Sequence, residues 1–196
     1  MAMAVQRLFP GTQVTIGPWI SSGFYYDFFN EETQFTEGDL KAIKKEMDKI
    51  IKEKLPLIRE EVTREEARER IESLGEPFKL EILDSIKTEP ITIYHVGDQW
   101  WDLCAGPHVE TTGDLPSKGI QLEGLAGAYW RGDENRPSLQ RIYGTAWESS
   151  AQLKVSKILN PSPNPNPYPY PNLILPHSSC IKTVFLKYIL KSFRLD

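Results

Sequence analysis

From Asn160 the chain reads NPSPNPNPYPYPNLILP, with proline at every second position from Pro161 to Pro171. Each proline fixes φ and removes an amide donor, which excludes this stretch from a packed helix or a central strand. A cooperative core must therefore come from the residues ahead of it. We place the boundary between residues 153 and 154, with 1–153 as the folded domain and 154–196 as an unstructured Pro-rich and basic tail. Residues 177–196 mix Val184, Phe185, Leu186, Tyr188, Ile189 and Leu190 with lysines, and read either as a short basic amphipathic helix or as an unpacked segment.

The boundary also divides the charge. Residues 154–196 carry a net +5 and residues 1–153 a net −9, within a chain of −4. An acidic body argues against broad, salt-driven binding to nucleic acid, so RNA would be handled in a local pocket. No apolar run approaches the ~20 residues of a membrane span, which argues against a membrane protein. The N-terminus, MAMAVQRLFPG, lacks the pattern of a secretory signal, and Cys104 and Cys180 lie too far apart for a disulfide framework. These features predict a reducing, cytoplasmic location.

Ahead of the prolines, apolar spacing switches between periods of two and about 3.6 residues without βαβ regularity. This predicts an α+β domain with a mixed or antiparallel sheet and packed helices. Residues 1–9 end at Pro10-Gly11 like the last turns of a helix, and Val14, Ile16 and the run 24–29 read as strands around Gly17-Pro18. Thr36 with Asp39, and Thr63 with Glu66, have capping-box spacing and open amphipathic helices that stop at Leu55-Pro56 and at Gly75. Between them 57–62 reads as a strand, whereas 78–83 fits a helix or a strand equally. Residues 91–96, a Gly97-Asp98 turn and 99–103 predict a hairpin, 111–119 a polar loop, and 120–130 with 139–147 a second strand pair around the charged loop 131–137.

The reactive groups concentrate in 100–109, WWDLCAGPHV. Cys104 and His108 stand four residues apart across Gly106-Pro107, with Asp102 two residues before the thiol. Thiolate and neutral imidazole are preferred zinc ligands, so Cys104 and His108 are candidate metal ligands and zinc the candidate cofactor. Two ligands fall short of the three or four that zinc takes, and the pair also reads as a buried cysteine beside a loop histidine. Asp102 is near enough to orient the imidazole or to take part in acid/base chemistry.

Together, IGPWISSGFYYDF, GEPFKLEIL, DLCAGPHV and GAYWRGDENRPSLQRIYGTAW resemble, in order and spacing, the editing domain of bacterial-type threonyl-tRNA synthetases, whose superfamily includes the alanyl-tRNA synthetase editing domains. The resemblance covers about residues 3–150 and stops before the tail. It implies an editing-domain fold and hydrolysis of mischarged seryl-tRNA(Thr), by water attack on the aminoacyl ester at the 3′ adenosine. The motive is physical: one missing methyl group is worth only ~1–3 kcal/mol of discrimination, so a threonine site admits serine and a second site removes it.

Position by position, the resemblance makes Lys79, Asp102, Cys104 and His108 catalytic, with Lys79 near the reacting ester and Asp102 beside the amino acid. It sets Tyr26 against the terminal adenosine or the amino acid as a substrate-binding residue. Read without the resemblance, Lys79 is equally a solvated strand residue and Tyr26 a core aromatic. In the family Cys104 and His108 are half of a four-residue cluster; its other half, an H-x-x-x-H pair, precedes the segment aligned with residues 3–10, and neither His95 nor His177 matches it. The implied partner is the 3′ end of tRNA(Thr), with no membrane, and the family's homodimer forms through domains this chain does not carry. The ATP-dependent ligase domain is also expected to be missing, so we expect a shortened synthetase unable to aminoacylate. A catalytically inactive tRNA- or synthetase-binding module of the same fold is the alternative, and a small zinc-binding structural protein a third reading.

Overall fold

Two antiparallel sheets, bridged by one short helix and packed by further helices, make up the structure, a computed structural model that describes residues 1–20 and 23–159. The proline stretch, His177, Cys180 and the basic segment lie outside the described residues. The first sheet holds β1 (Gln13–Val14), β2 (Trp19–Ile20), β3 (Gly23–Phe29), β7 (Ile120–Tyr129) and β8 (Ser138–Ala146), in the order β1-β3-β8-β7 with β2 also paired to β3. The second holds β4 (Leu57–Val62), β5 (Ile91–Val96) and β6 (Trp100–Leu103) in that order. Every strand pair is antiparallel, so the expected α+β architecture holds and "mixed or antiparallel" resolves to antiparallel.

Alternation along β3 decides which side of the first sheet is core. Phe28, with Ile142 and Leu122 from β8 and β7, packs against α1 (Ala2–Leu8) and α2 (Glu37–Glu53), which contribute Val5, Leu40, Ile43 and Ile50. On the other face Arg141 forks onto Asp27, its cross-strand partner, at 2.6 and 2.8 Å and stacks 3.8 Å over the Tyr25 ring. The second sheet buries Val62, Ile91 and Ile93 under α3 (Arg64–Leu74) and α4 (Pro77–Ser85), through Ala67, Ile71 and Leu83.

Helix starts follow the sequence chemistry. Glu66 accepts from the Thr63 backbone N–H at 2.9 Å while its own N–H donates to Thr63 Oγ1 at 3.2 Å, a full capping box at the start of α3. Gly75, at φ 67°, ends that helix in the left-handed region.

The ambiguous segment 78–83 is helical, and its surroundings explain why. Pro77 sits in the first turn, where its fixed φ suits a helix. Leu80 and Leu83 then face the second sheet's core, whereas Phe78 and Ile82 face a third cluster with Trp130, Leu139 and Phe29 of the first sheet. With two apolar faces, α4 is a beam between the sheets, and a single amphipathic stripe was never there to be read.

The expected boundary at 153/154 falls inside a further helix, α5 (Ser150–Leu159), so residues 154–159 of the predicted tail are helical. Val155, Ile158 and Leu159 are exposed on it. No helix among the described residues is long and apolar enough to cross a membrane.

Candidate functional site

The hairpin of β5 and β6 sets one face of the site. Its register pairs Tyr94 with Asp102 and so puts both on the same side, while His95, one residue on, turns to the opposite side and meets Glu60 at 2.6 Å. Past β6 the chain reverses at Gly106, whose φ is 68° and whose backbone lies so close to Tyr94 that a Cβ there would stand 2.1 Å from the phenol oxygen. Only glycine fits both conditions. Through a cis bond to Pro107, the turn carries His108 back until its Nε2 is 3.0 Å from Cys104 Sγ, with the ring edge-on to Tyr94 at 4.4 Å between centroids.

Three elements supply the other half. Asp102 from β6 accepts from Tyr26 Oη of β3 at 2.8 Å and pairs with Lys79 Nζ of α4 at 2.5 Å. Lys79 Nζ also donates to Tyr26 Oη at 3.1 Å, closing a triangle. Lys79 is buried, with 7% of its side chain exposed, so the alternative of a solvated strand residue is excluded. The Tyr26 ring is held from the far side by Gly17, where a Cβ would come within 2.1 Å of a ring carbon.

Protonation states follow from burial. Desolvation, reinforced by the Asp102 charge, drives the Tyr26 phenol well above its usual range, so it is a neutral donor. Local desolvation lowers the His108 imidazole, although the residue stays exposed, against the opposing pull of Asp102, and burial raises the half-buried Cys104 thiol. At neutral pH the pair is therefore an uncharged thiol and an uncharged imidazole sharing a hydrogen bond. That state suits an imidazole base and does not suit a cysteine nucleophile, which works as the thiolate. Among the described residues no third His, Cys, Asp or Glu joins Cys104 and His108 in a metal-holding group. Since zinc takes at least three protein ligands, the described donors do not fit a zinc centre.

Residues 91–143, from β5 into β8, match the family "Threonyl and Alanyl tRNA synthetase second additional domain". Residues 91–143 are thus similar to that second-additional-domain family. The matched segment contains Tyr94, Asp102, Cys104 and His108, and Tyr26 and Lys79 lie outside it. The chain is 68% identical over 154 residues to the threonine–tRNA ligase, chloroplastic/mitochondrial 2, of Arabidopsis thaliana, across 79% of this chain and 23% of that protein. It is 71% identical over 153 residues to the threonine–tRNA ligases of Synechococcus elongatus and of a Synechocystis strain, across 78% of this chain and 25% of each. The chain thus spans about a quarter of the length of the curated relatives it matches.

All five residues singled out in the sequence fall into two adjoining groups, Tyr26–Lys79–Asp102 and Cys104–His108. Four others around them carried no sequence signal of their own. Tyr94 was legible in principle, because the hairpin register puts it opposite Asp102. Glu76, Gln6 and Trp100 were not: Trp100 Nε1 donates to Gln6 Oε1 at 2.7 Å and Gln6 Nε2 to Glu76 Oε1 at 2.8 Å, a chain joining residues up to 94 positions apart. Glu76 also accepts from the Val14 backbone N–H at 3.0 Å. Burial, with the Asp102 charge, pushes its carboxyl up to about 7, against the pull of those hydrogen bonds and of Lys79. Gln6, Val14, Glu76, Lys79, Trp100 and Asp102 share a cavity of about 200 Å³.

Proposed function

We propose that this domain hydrolyses the ester of a mischarged aminoacyl-tRNA, with seryl-tRNA(Thr) as substrate and the tRNA 3′ end as the part it grips. The observation that carries the reading is the closed Lys79–Tyr26–Asp102 triangle beside an uncharged Cys104–His108 pair. Ester hydrolysis needs a base for water, a cation for the oxygen that gains charge, and an anion for the substrate's ammonium. Neutral His108, Lys79 and Asp102 supply these in turn.

In the proposed sequence His108 takes a proton as water oxygen bonds to the ester carbonyl carbon, and the carbonyl oxygen becomes an oxyanion facing Lys79. The tetrahedral carbon then expels the ribose 3′ oxygen, which receives the proton back from the imidazolium. Free serine and an intact tRNA end result. Asp102 holds the α-ammonium, Tyr26 orients Asp102 and Lys79, and Cys104 orients the imidazole through Sγ. The ligase names of the relatives support a tRNA substrate, and the organellar and cyanobacterial relatives support a translating compartment, organellar or cytoplasmic.

The test is hydrolysis of seryl-tRNA(Thr) and threonyl-tRNA(Thr) by the purified chain and by His108→Ala. Loss of the seryl ester alone, reduced at least about 100-fold by the substitution, is expected. If the chain binds tRNA but hydrolyses neither ester, the inactive binding module is the correct reading.

A further inference from the structure

Lys79 is a buried cation, and its position is decided where its helix begins. The Glu76 carbonyl accepts from the Lys79 N–H at 3.0 Å, so Lys79 belongs to the first turn of α4. The Glu76 side chain reaches the other way, to Val14 and Gln6, and ties that turn to the corner between α1 and β1. We propose that Glu76 is a positioning residue for Lys79, which it acts on through the first turn of α4 and through the charge it places in their common cavity. The inference rests on the hydrolase reading for its catalytic consequence, but the coupling of the two residues stands apart from it.

Both partners of the Glu76 carboxyl are donors, a backbone N–H and a side-chain amide, and a carboxylate serves both fully when ionised. The charged groups that face it are Lys79 on α4 and Asp102 on β6, with the Tyr26 phenol of β3 behind them. The remaining elements present neutral groups, Gln6 from α1, Val14 from β1, and Ile71 with Leu74 from α3. Lys79 is already matched by Asp102. Ionised Glu76 therefore leaves the cavity with one negative charge in excess and holds the first turn of α4 fast. Protonated Glu76 removes that charge and weakens its hold on Val14 and Gln6. Because burial brings the change close to neutrality, the surroundings of the Lys79 ammonium alter by a whole charge within the working pH range.

The experiment follows the ¹⁵N resonance of the Lys79 ammonium in the full chain from about pH 5 to about pH 9, in wild type and in Glu76→Gln, with Lys79→Arg to assign the signal. A wild-type inflection near pH 7, absent from Glu76→Gln, is the expected result. A wild-type signal without an inflection between about pH 6 and 8, or the same inflection in the variant, overturns the proposal. The first of these needs no variant, so a Glu76→Gln chain that fails to fold does not rescue the idea. On seryl-tRNA, kcat of wild type is expected to fall as pH drops through 7, and that of Glu76→Gln to lack this step, keeping only the fall at lower pH where His108 protonates, and to be about tenfold lower at pH 8, with KM within about twofold. Inflection without hydrolysis supports the coupling and overturns the hydrolase reading instead.

Discussion

A buried acid with a raised proton affinity is a local cost that folding must carry. Glu76 titrates near 7 in the folded chain against an ordinary value of 4.5, so the folded state holds its proton over that interval while the unfolded state gives it up. The resulting destabilisation is absent below about pH 4.5 and fully present above about pH 7, where it is worth about 3 kcal/mol. Glu76→Gln removes the titration, so wild type should lose roughly that amount relative to the variant between pH 4.5 and 8 in urea melts. A stability difference independent of pH would contradict the assignment. Asp102→Asn works in the other direction, because it leaves the Lys79 ammonium buried without its ion-pair partner. We expect a loss of about 3 kcal/mol, read as a lowered urea midpoint, together with loss of hydrolysis. Gly106→Ala forces a side chain into a left-handed turn and onto Tyr94, and should lower the melting temperature and displace His108 from Cys104.

Helix α4 connects stability with the site at the level of elements. Phe78 packs edge-on against Trp130 at 5.1 Å, on the side of α4 that faces the first sheet. Truncating it to alanine should cost about 3–4 kcal/mol by its cavity and also slow hydrolysis, measured by parallel melts and rate assays. Thr63→Ala, which removes a cap from α3, should cost about 1 kcal/mol and leave the rate unchanged. The contrast separates a helix that carries a site residue from one that lines the cavity only with apolar side chains. It also explains what the sequence disclosed. Strand β4 and the capping box of α3 are specified by neighbours a few residues away, and both are where the pattern put them. Helix α4 was ambiguous because Phe78, Leu80, Ile82 and Leu83 serve two cores at once, a property of the assembled sheets. Tyr26, Lys79, Asp102, Cys104 and His108 were singled out by motifs and the resemblance those motifs carry, whereas Glu76, Gln6 and Trp100 meet only after folding.

For the whole molecule, charge sets how it can meet RNA. A body carrying −9 outside residues 154–196 repels a phosphate backbone, so the proposed grip on a tRNA end would draw its affinity from the terminal nucleotide and its ester. Binding of a short acceptor-end mimic is therefore expected to depend weakly on salt, with a log–log slope no steeper than about −2, measured by fluorescence anisotropy. A steep slope would place the grip on phosphates instead.

The Lys79–Tyr26–Asp102 triangle draws one corner from each of three bodies, the first sheet, the second sheet and the beam between them. An assembly of this kind fails silent. On the proposed reading, slippage of any one body breaks the triangle, so a loosened copy would stop cutting and would not begin to cut the correct ester. Partial damage then lowers the number of working copies without eroding the discernment of those that remain.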